Sequence, residues 1–150
     1  MISRKRRSGN ANNSLTIEVL SVPPTINTAY SRGSHGKRFL SKAGKKFKSE
    51  VEIAAKMYKG TLGRSLYRLT IIVQYKWLTK DGNVMKRDIS NRIKIAEDGL
   101  AKALGVDDAV FFDVRALKSH SETDQRTVFY LEPIGDEDVG SFGIDKGNIR

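Results

Sequence analysis

Hydrophobic and polar positions along the chain change period several times, and each change predicts an element. Leu15–Leu20 (LTIEVL) sets Leu15, Ile17 and Val19 against Thr16 and Glu18, the alternation of a half-buried strand. Pro23 and Pro24, with the scattered glycines and serines that follow, erase that period and predict a long loop over residues 21–41. From Ser41 to Tyr58 the period lengthens: Phe47, Val51, Ala54, Ala55 and Tyr58 recur at helical spacing, and Gly60 supplies a stop. Gly44 is expected to weaken the first turn of this helix. Tyr67–Leu78 (YRLTIIVQYKWL) returns to alternation, with Leu69, Ile71, Val73, Tyr75 and Trp77 on one face and Thr70, Gln74 and Lys76 on the other. Lys80–Asn83 (KDGN) reads as a turn.

A second helix is predicted over Ile89–Leu104, closed by Gly105 in the left-handed cap position. Its apolar face is expected to hold Ile89, Ile93, Ala96, Leu100, Ala103 and Leu104, opposite Asn91, Lys94, Asp98 and Lys102. Two strands follow, AVFFDVRAL and RTVFYLE, read as a hairpin joined by the polar KSHSETDQ. The order β, α, β, α, β, β predicts an α+β fold: a small mixed sheet of about four strands packed with two main helices, in a single domain. That domain covers 15–134, between a flexible basic arm at 1–14 and a flexible acidic, glycine-rich tail at 135–150.

A chain of 150 residues can bury one core. Composition then narrows the chemistry. With no cysteine, disulfides, zinc–thiolate sites and thiol catalysis are excluded. No apolar run approaches a membrane span and no secretory leader is visible, so the default expectation is a cytoplasmic protein that binds no membrane. The charge is lopsided: 17 of the 27 Lys and Arg residues, but only 3 of the 17 Asp and Glu, lie in residues 1–80. Such a basic half is either a footprint for nucleic acid or a lysine-rich solvated surface, and composition alone does not choose.

The acidic residues gather instead in Lys86–Asp108 (KRDISNRIKIAEDGLAKALGVDD). Taken singly they have ordinary readings: Asp88, Ser90 or Asn91 as a helix cap, Lys94 and Asp98 as a surface pair, Asp107–Asp108 as a turn. Taken together they suit magnesium, which wants hard oxygen ligands and needs only one or two protein carboxylates. Asp88 and the Asp107–Asp108 pair could supply these, with Lys94 facing a phosphate as a point charge. Distance is the difficulty. A helix of 14–16 residues is about 21–24 Å long, and three residues after Gly105 return the chain by at most about 11 Å. Convergence of Asp88 and Asp108 therefore requires a shorter helix, a leaning helix or a second subunit.

RDISNRIKIAEDGLAKALGVDDAV resembles the central motif of the RusA-type Holliday junction resolvases: Asp-x-Asp-Asn, a Lys three residues on, an Asp four later, and Asp-Asp after the helix. VPPTINTAYSRGSHGKRFLSKAGKKFKSEV is similar to the same family's Pro-Pro-x-x-Asn turn (Pro23, Pro24, Asn27), basic loop and Leu40–Ser41 step. The likeness covers about residues 15–132. It implies a homodimeric endonuclease that uses Mg2+, or Mn2+ in its place, to cut branched DNA, especially four-way junctions, without a small-molecule cofactor. By position Asp88 and Asp108 match metal-binding catalytic aspartates, and Lys94 a catalytic lysine. One position departs from the pattern: the second aspartate of Asp-x-Asp is Ser90, a poorer ligand that leaves the site one charge short. Ser90 acting through water, Asp107 or Asp113 could compensate; otherwise junction binding survives without cutting. The resemblance also suggests a nucleoid-associated protein of phage or prophage origin.

For DNA contact the candidates are Lys37, Arg38, Lys42, Lys45, Lys46 and Arg87, with Asn27 and Asn91; Arg4–Arg7 is a weaker one. Tyr30 and Phe39 fit buried loop anchors better than wedges between bases. Trp77 and the strand tyrosines fit the core, and His35 and His120 read as isolated surface residues. No phosphate-cradling P-loop and no nucleophile elbow occurs. A protein that binds structured RNA is a further reading of the basic half, distinguished by indifference to junction shape.

Overall fold

The computed structural model describes residues 14–58, 62, 63 and 65–144. The basic arm before Ser14, including Arg4–Arg7, and the helix stop at Gly60 lie outside the described residues. The elements are β1 (Leu15–Val19), α1 (Ile26–Ala29), β2 (Tyr30–Arg32), β3 (Arg38–Leu40), α2 (Lys42–Ala55), β4 (Tyr67–Tyr75), α3 (Ser90–Leu104), β5 (Phe111–His120), β6 (Arg126–Pro133) and α4 (Asp136–Val139). The fold is α+β, with a four-stranded mixed sheet in the order β1-β6-β4-β5 and a two-stranded sheet of β2 and β3.

Alternation decides what each strand buries. Leu69, Ile71 and Val73 of β4, Phe129 and Leu131 of β6, and Leu15, Ile17 and Val19 of β1 all turn to one face. Phe47, Val51 and Ala55 from α2, with Ile95, Ala96 and Leu100 from α3, complete the core. Each such side chain contributes about 1.5–3 kcal/mol when fully buried, so these three strands and two helices carry the stability. The buried stripe of α3 is rotated from the expected one: it runs through Ile95, Ala96, Gly99, Leu100 and Ala101, while Ile93 and Ala103 are only half-buried. Ala96 and Leu100 lie in it as expected, while Gly99, which faces Lys48 and Val51 of α2, is a position that hydrophobic periodicity does not register.

The expected β5–β6 hairpin does not form. β6 pairs antiparallel with β4, and β4 pairs in parallel with β5, so β4 stands between the two. The reason lies in their polarity. β6 buries Thr127, Phe129 and Leu131 on one face and belongs inside the sheet. β5 carries Asp113, Arg115 and Lys118, and such charges suit an edge strand. Asp113 lies opposite Arg68 in register and is bound by it at 2.6 Å and by Arg115 at 3.0 Å, on the sheet face away from the helices. Tyr130 shares that open face and is exposed, unlike Tyr67 and Trp77, which are buried as expected.

The loop over 21–41 also has structure. Thr25 caps the single turn of α1, and β2 and β3 form a hairpin with Tyr30 opposite Leu40 and Arg32 opposite Arg38. His35 and Gly36 turn the hairpin at positive φ. Ser41 caps α2, accepting from the Gly44 N–H and donating to the Thr28 carbonyl. Gly44 is buried in the first turn of α2, where an added Cβ would lie 2.5 Å from the Ala29 carbonyl oxygen. Glycine is there for close approach, and the weak first turn is its consequence. At the other end of the chain, residues 136–142 form two short helical turns, with Val139 buried and Phe142 edge-on to Phe112.

Gly44→Ala therefore reverses the usual helix preference. The intrinsic gain of about 1 kcal/mol is outweighed by the clash with α1, giving a net loss of about 1–2 kcal/mol, read as a lower urea midpoint at unchanged slope. A midpoint that rises would show that α1 yields freely.

Candidate phosphodiester-cleaving site

The site is built on the polar flank of α3. Ser90, Lys94 and Asp98 recur every four residues, so they stack along one side of the helix. At its start, Asp88 Oδ1 accepts the Ser90 backbone N–H at 3.2 Å and the Ser90 hydroxyl at 2.7 Å. None of Asp88, Ser90 and Asn91 is the cap: the N-cap position is Ile89, without a side-chain cap bond, and Asp88 instead closes a turn just before the helix. The two bonds from Ser90, first the hydroxyl and then the backbone, hold the Asp88 carboxyl below its ordinary range, and Lys118 adds to the effect.

At mid-helix the Lys94 ammonium donates to Asp98 at 2.8 Å and to Asp108 at 3.1 Å. These two carboxylates raise the lysine well above its usual range, Asp98 foremost. In return Lys94 depresses Asp108. Gly105 makes this possible: at φ 68° it ends α3, its neighbour Val106 bonds back to the Ala101 carbonyl, and the chain doubles back beside the helix. Asp107 caps the short turn that follows, accepting the Ala109 N–H at 2.9 Å. Tyr30 of β2 directs its hydroxyl at Asp98; burial and that carboxylate raise the phenol.

The sequence-predicted residues thus fall into two groups, Asp88 with Ser90 at the entrance of α3, and Lys94 with Asp98, Asp107 and Asp108 further along. Lys94 stands one turn, about 6 Å, beyond Ser90. Among the described residues no hydrogen bond or ion pair joins the two groups, and no three His, Asp or Glu side chains gather closely enough to hold a metal. Asp88 and Asp108, in separate groups, are both accessible and both held ionised, and each offers the hard oxygen donor that a magnesium ion takes while keeping most of its waters. Asp113 is already bound by two guanidinium groups on the far sheet face and does not replace the missing aspartate.

The segment leading to Asp88 is fixed by side chains that the sequence did not single out. Arg87 lies over the Tyr75 ring at 4.4 Å and donates to the Lys76 carbonyl at 2.8 Å. Lys118, 4.6 Å above the Trp77 ring, donates to the Arg87 carbonyl. On the other side Arg92 lies 5.3 Å from the centre of the Tyr75 ring and donates to the Pro23 carbonyl, tying the Pro-Pro turn to α3. Burial lowers the Arg92 guanidinium. His120 is not isolated: its Nδ1 accepts the backbone N–H groups of Trp77 and Leu78, and Nε2 faces Glu122, which pairs with Lys76. Nothing in local sequence marks its structural role, because the backbone N–H groups it accepts lie more than forty positions away.

The remaining candidates are exposed on other elements or at the surface. Lys37 and Arg38 are exposed on the β2–β3 hairpin, Lys42, Lys45 and Lys46 on α2, and Asn27 and Asn91 at the surface. Tyr30 is half-buried, as an anchor should be, but Phe39 is 52% exposed, against expectation. Phe39 lies on the face of β3 opposite Leu40, turned away from the core, and its ring covers Gly33.

Acidic groups on one helix beside a cationic hairpin make a layout suited to handling nucleic-acid phosphates. The comparisons agree. The family model described as "Endodeoxyribonuclease RusA" matches residues 21–131, well over half of the chain, and the protein belongs to the RusA endodeoxyribonuclease family. None of the curated proteins matches it.

His120→Ala leaves the Trp77 and Leu78 N–H groups without their acceptor. The expected cost is about 1–2 kcal/mol in denaturant unfolding, with faster amide exchange at both residues. Unchanged exchange there would show that His120 does not hold this segment.

Proposed function

We propose that the protein is a magnesium-dependent, structure-selective endonuclease that resolves four-way DNA junctions as a homodimer, each subunit nicking one strand. The observation that carries the reading is the Lys94 ammonium held between Asp98 and Asp108, on the helix whose entrance bears Asp88. Family membership supports the endonuclease class, and the family resemblance supports the junction substrate and the dimer.

Asp88 and Asp108 would hold the divalent ion, Mg2+ or Mn2+, with Asp107 and Ser90 beside them. When bound, the ion supplies Lewis-acid polarisation of the phosphate and a more acidic water. The chain's own residues do the rest. Asp98 keeps Lys94 charged and extended, so its ammonium can stabilise negative charge developing on the phosphate oxygens. Ser90 spends its hydroxyl hydrogen on Asp88 and holds that carboxylate ionised without adding a second negative charge. Lys37, Arg38, Lys42, Lys45 and Lys46, with Asn27 and Asn91, meet the DNA backbone, each phosphate contact steepening the salt dependence of binding. Arg87, folded against Tyr75, acts on the DNA chiefly by fixing the position of Asp88. Lys94 stands one turn of α3 beyond Ser90, and in this reading a phosphate drawn to its ammonium would be approached by Asp108 on one side and Asp88 on the other.

A second reading is favoured by the same Ser90 bond: a junction-binding module that has lost cutting, because the site holds one carboxylate fewer than the motif requires. A synthetic four-way junction separates the two. The nuclease reading expects paired nicks on adding magnesium, lost at least about a hundredfold in Asp88→Asn and in Asp108→Asn, with binding in EDTA changed only a few-fold. Calorimetric titration with Mg2+ or Mn2+ should lose its heat in the same variants. Ser90→Asp should cut as well as or better than the wild type. Binding in EDTA without nicks after magnesium assigns the module instead, and full cutting by Asp88→Asn moves the active site elsewhere.

A further inference from the structure

Arg32 and Arg38 face each other in register across the β2–β3 hairpin, at the pair nearest its turn. Directly opposed like charges destabilise a two-stranded sheet. Among the described residues neither guanidinium forms an ion pair with a carboxylate, whereas Arg68, Arg115 and Arg126 each do. The two arginines line a polar cavity of about 160 Å³, together with Ile26, Asn27, Tyr30 and Ser31. No acidic side chain lines it. Two planar donor forks and an amide with no acceptor of matching charge form a site for an anion, and guanidinium groups match phosphate oxygens two at a time.

From this geometry we infer that Arg32 and Arg38 form a clamp for one backbone phosphodiester of the DNA, distinct from the phosphate that is cut. The inference rests on the nucleic-acid reading above and gives it a location. Tyr30 links the two places: it lines the cavity, and its hydroxyl faces Asp98, which holds Lys94. Tyr30 thus adjoins both the clamp and the Asp98–Lys94 pair. The clamp sets the register of the strand, deciding which phosphodiester reaches the acidic flank.

The test replaces single phosphates of a synthetic junction with neutral methylphosphonates, one position at a time, and measures binding in EDTA. In the wild type one position per strand should cost roughly tenfold in affinity. In Arg32→Gln/Arg38→Gln that same position should cost nothing more, while other positions keep their wild-type penalty, and the salt slope should fall by about one. Arg38→Lys should retain the salt slope and lose affinity, because the charge stays and the fork goes. Lys80→Gln, on the remote turn, should behave as wild type, and matching thermal melts exclude unfolding as the cause. Equal penalties at every position in wild type and double variant overturn the clamp and leave the nuclease reading intact. A position-specific penalty in a protein that never nicks overturns the nuclease reading and keeps the clamp. A failure to bind any DNA in EDTA overturns both.

Discussion

Parallel pairing of β4 with β5 is the constraint from which the site follows. Two adjacent strands can be joined by a tight turn only if they are antiparallel; a parallel pair requires a crossover long enough to return to the start. Here α3 is part of that crossover. One flank of the helix must cover the sheet, and Ile95, Ala96 and Leu100 do so. The other flank is left to solvent, where Ser90, Lys94 and Asp98 can be polar at no cost in burial. Because the connection doubles back after Gly105, Asp108 meets the middle of the helix instead of lying beyond its end. The acidic flank exists because the sheet is mixed.

Much of this was legible in the chain. The strands β1 and β4 follow from alternation, α3 from its periodicity and from Gly105, and the acidic spacing from Asp88 to Asp108 from the motif itself. What escaped was long-range. β5 and β6 each look like strands, but which one takes the centre depends on the neighbours of β4, and no local pattern holds that information. The buried stripe of α3 was only partly placed: Ala96 and Leu100 were expected, but Gly99, which meets Lys48 and Val51 of α2, carries no hydrophobic weight, and Ile95 and Ala101 were missed with it. The β2–β3 hairpin was hidden by strands of three residues each, too short for a period to establish itself. Gly44 reads as a flaw in a helix until the Ala29 carbonyl is placed against it.

The site itself was partly legible for a related reason. Motif spacing names residues on one element well, so Asp88, Ser90 and Lys94 emerge together. It does not reveal that Ser90 donates to Asp88, or that Lys94 bridges to Asp108, because both depend on where side chains meet. The residues that hold the Asp88 segment in place, Tyr75, Trp77, Lys118 and His120, are invisible to motif reading altogether. They come from two places in the chain, residues 75–77 and 118–120, and act through backbone carbonyls, N–H groups and ring faces.

Charge distribution shows why these supports matter. The protein is strongly cationic overall, yet it concentrates carboxylates on one helix flank, where they would repel a phosphate backbone. Lys94 offsets two of them directly, and Ser90 keeps a further negative charge out of the entrance of α3. The hairpin adds opposed arginines beside Tyr30. Attraction for the backbone therefore resides on one element and the acidic groups on another, and the two are joined by side chains packed in the fold. If the anchoring of Tyr30 or of the Asp88 segment were loosened, the same charges would remain on the surface, but the cationic hairpin and the acidic flank would lose their fixed relation. Under the proposed function, binding rests on the one set and cutting on the other, so the serine within the motif would bear on cutting alone.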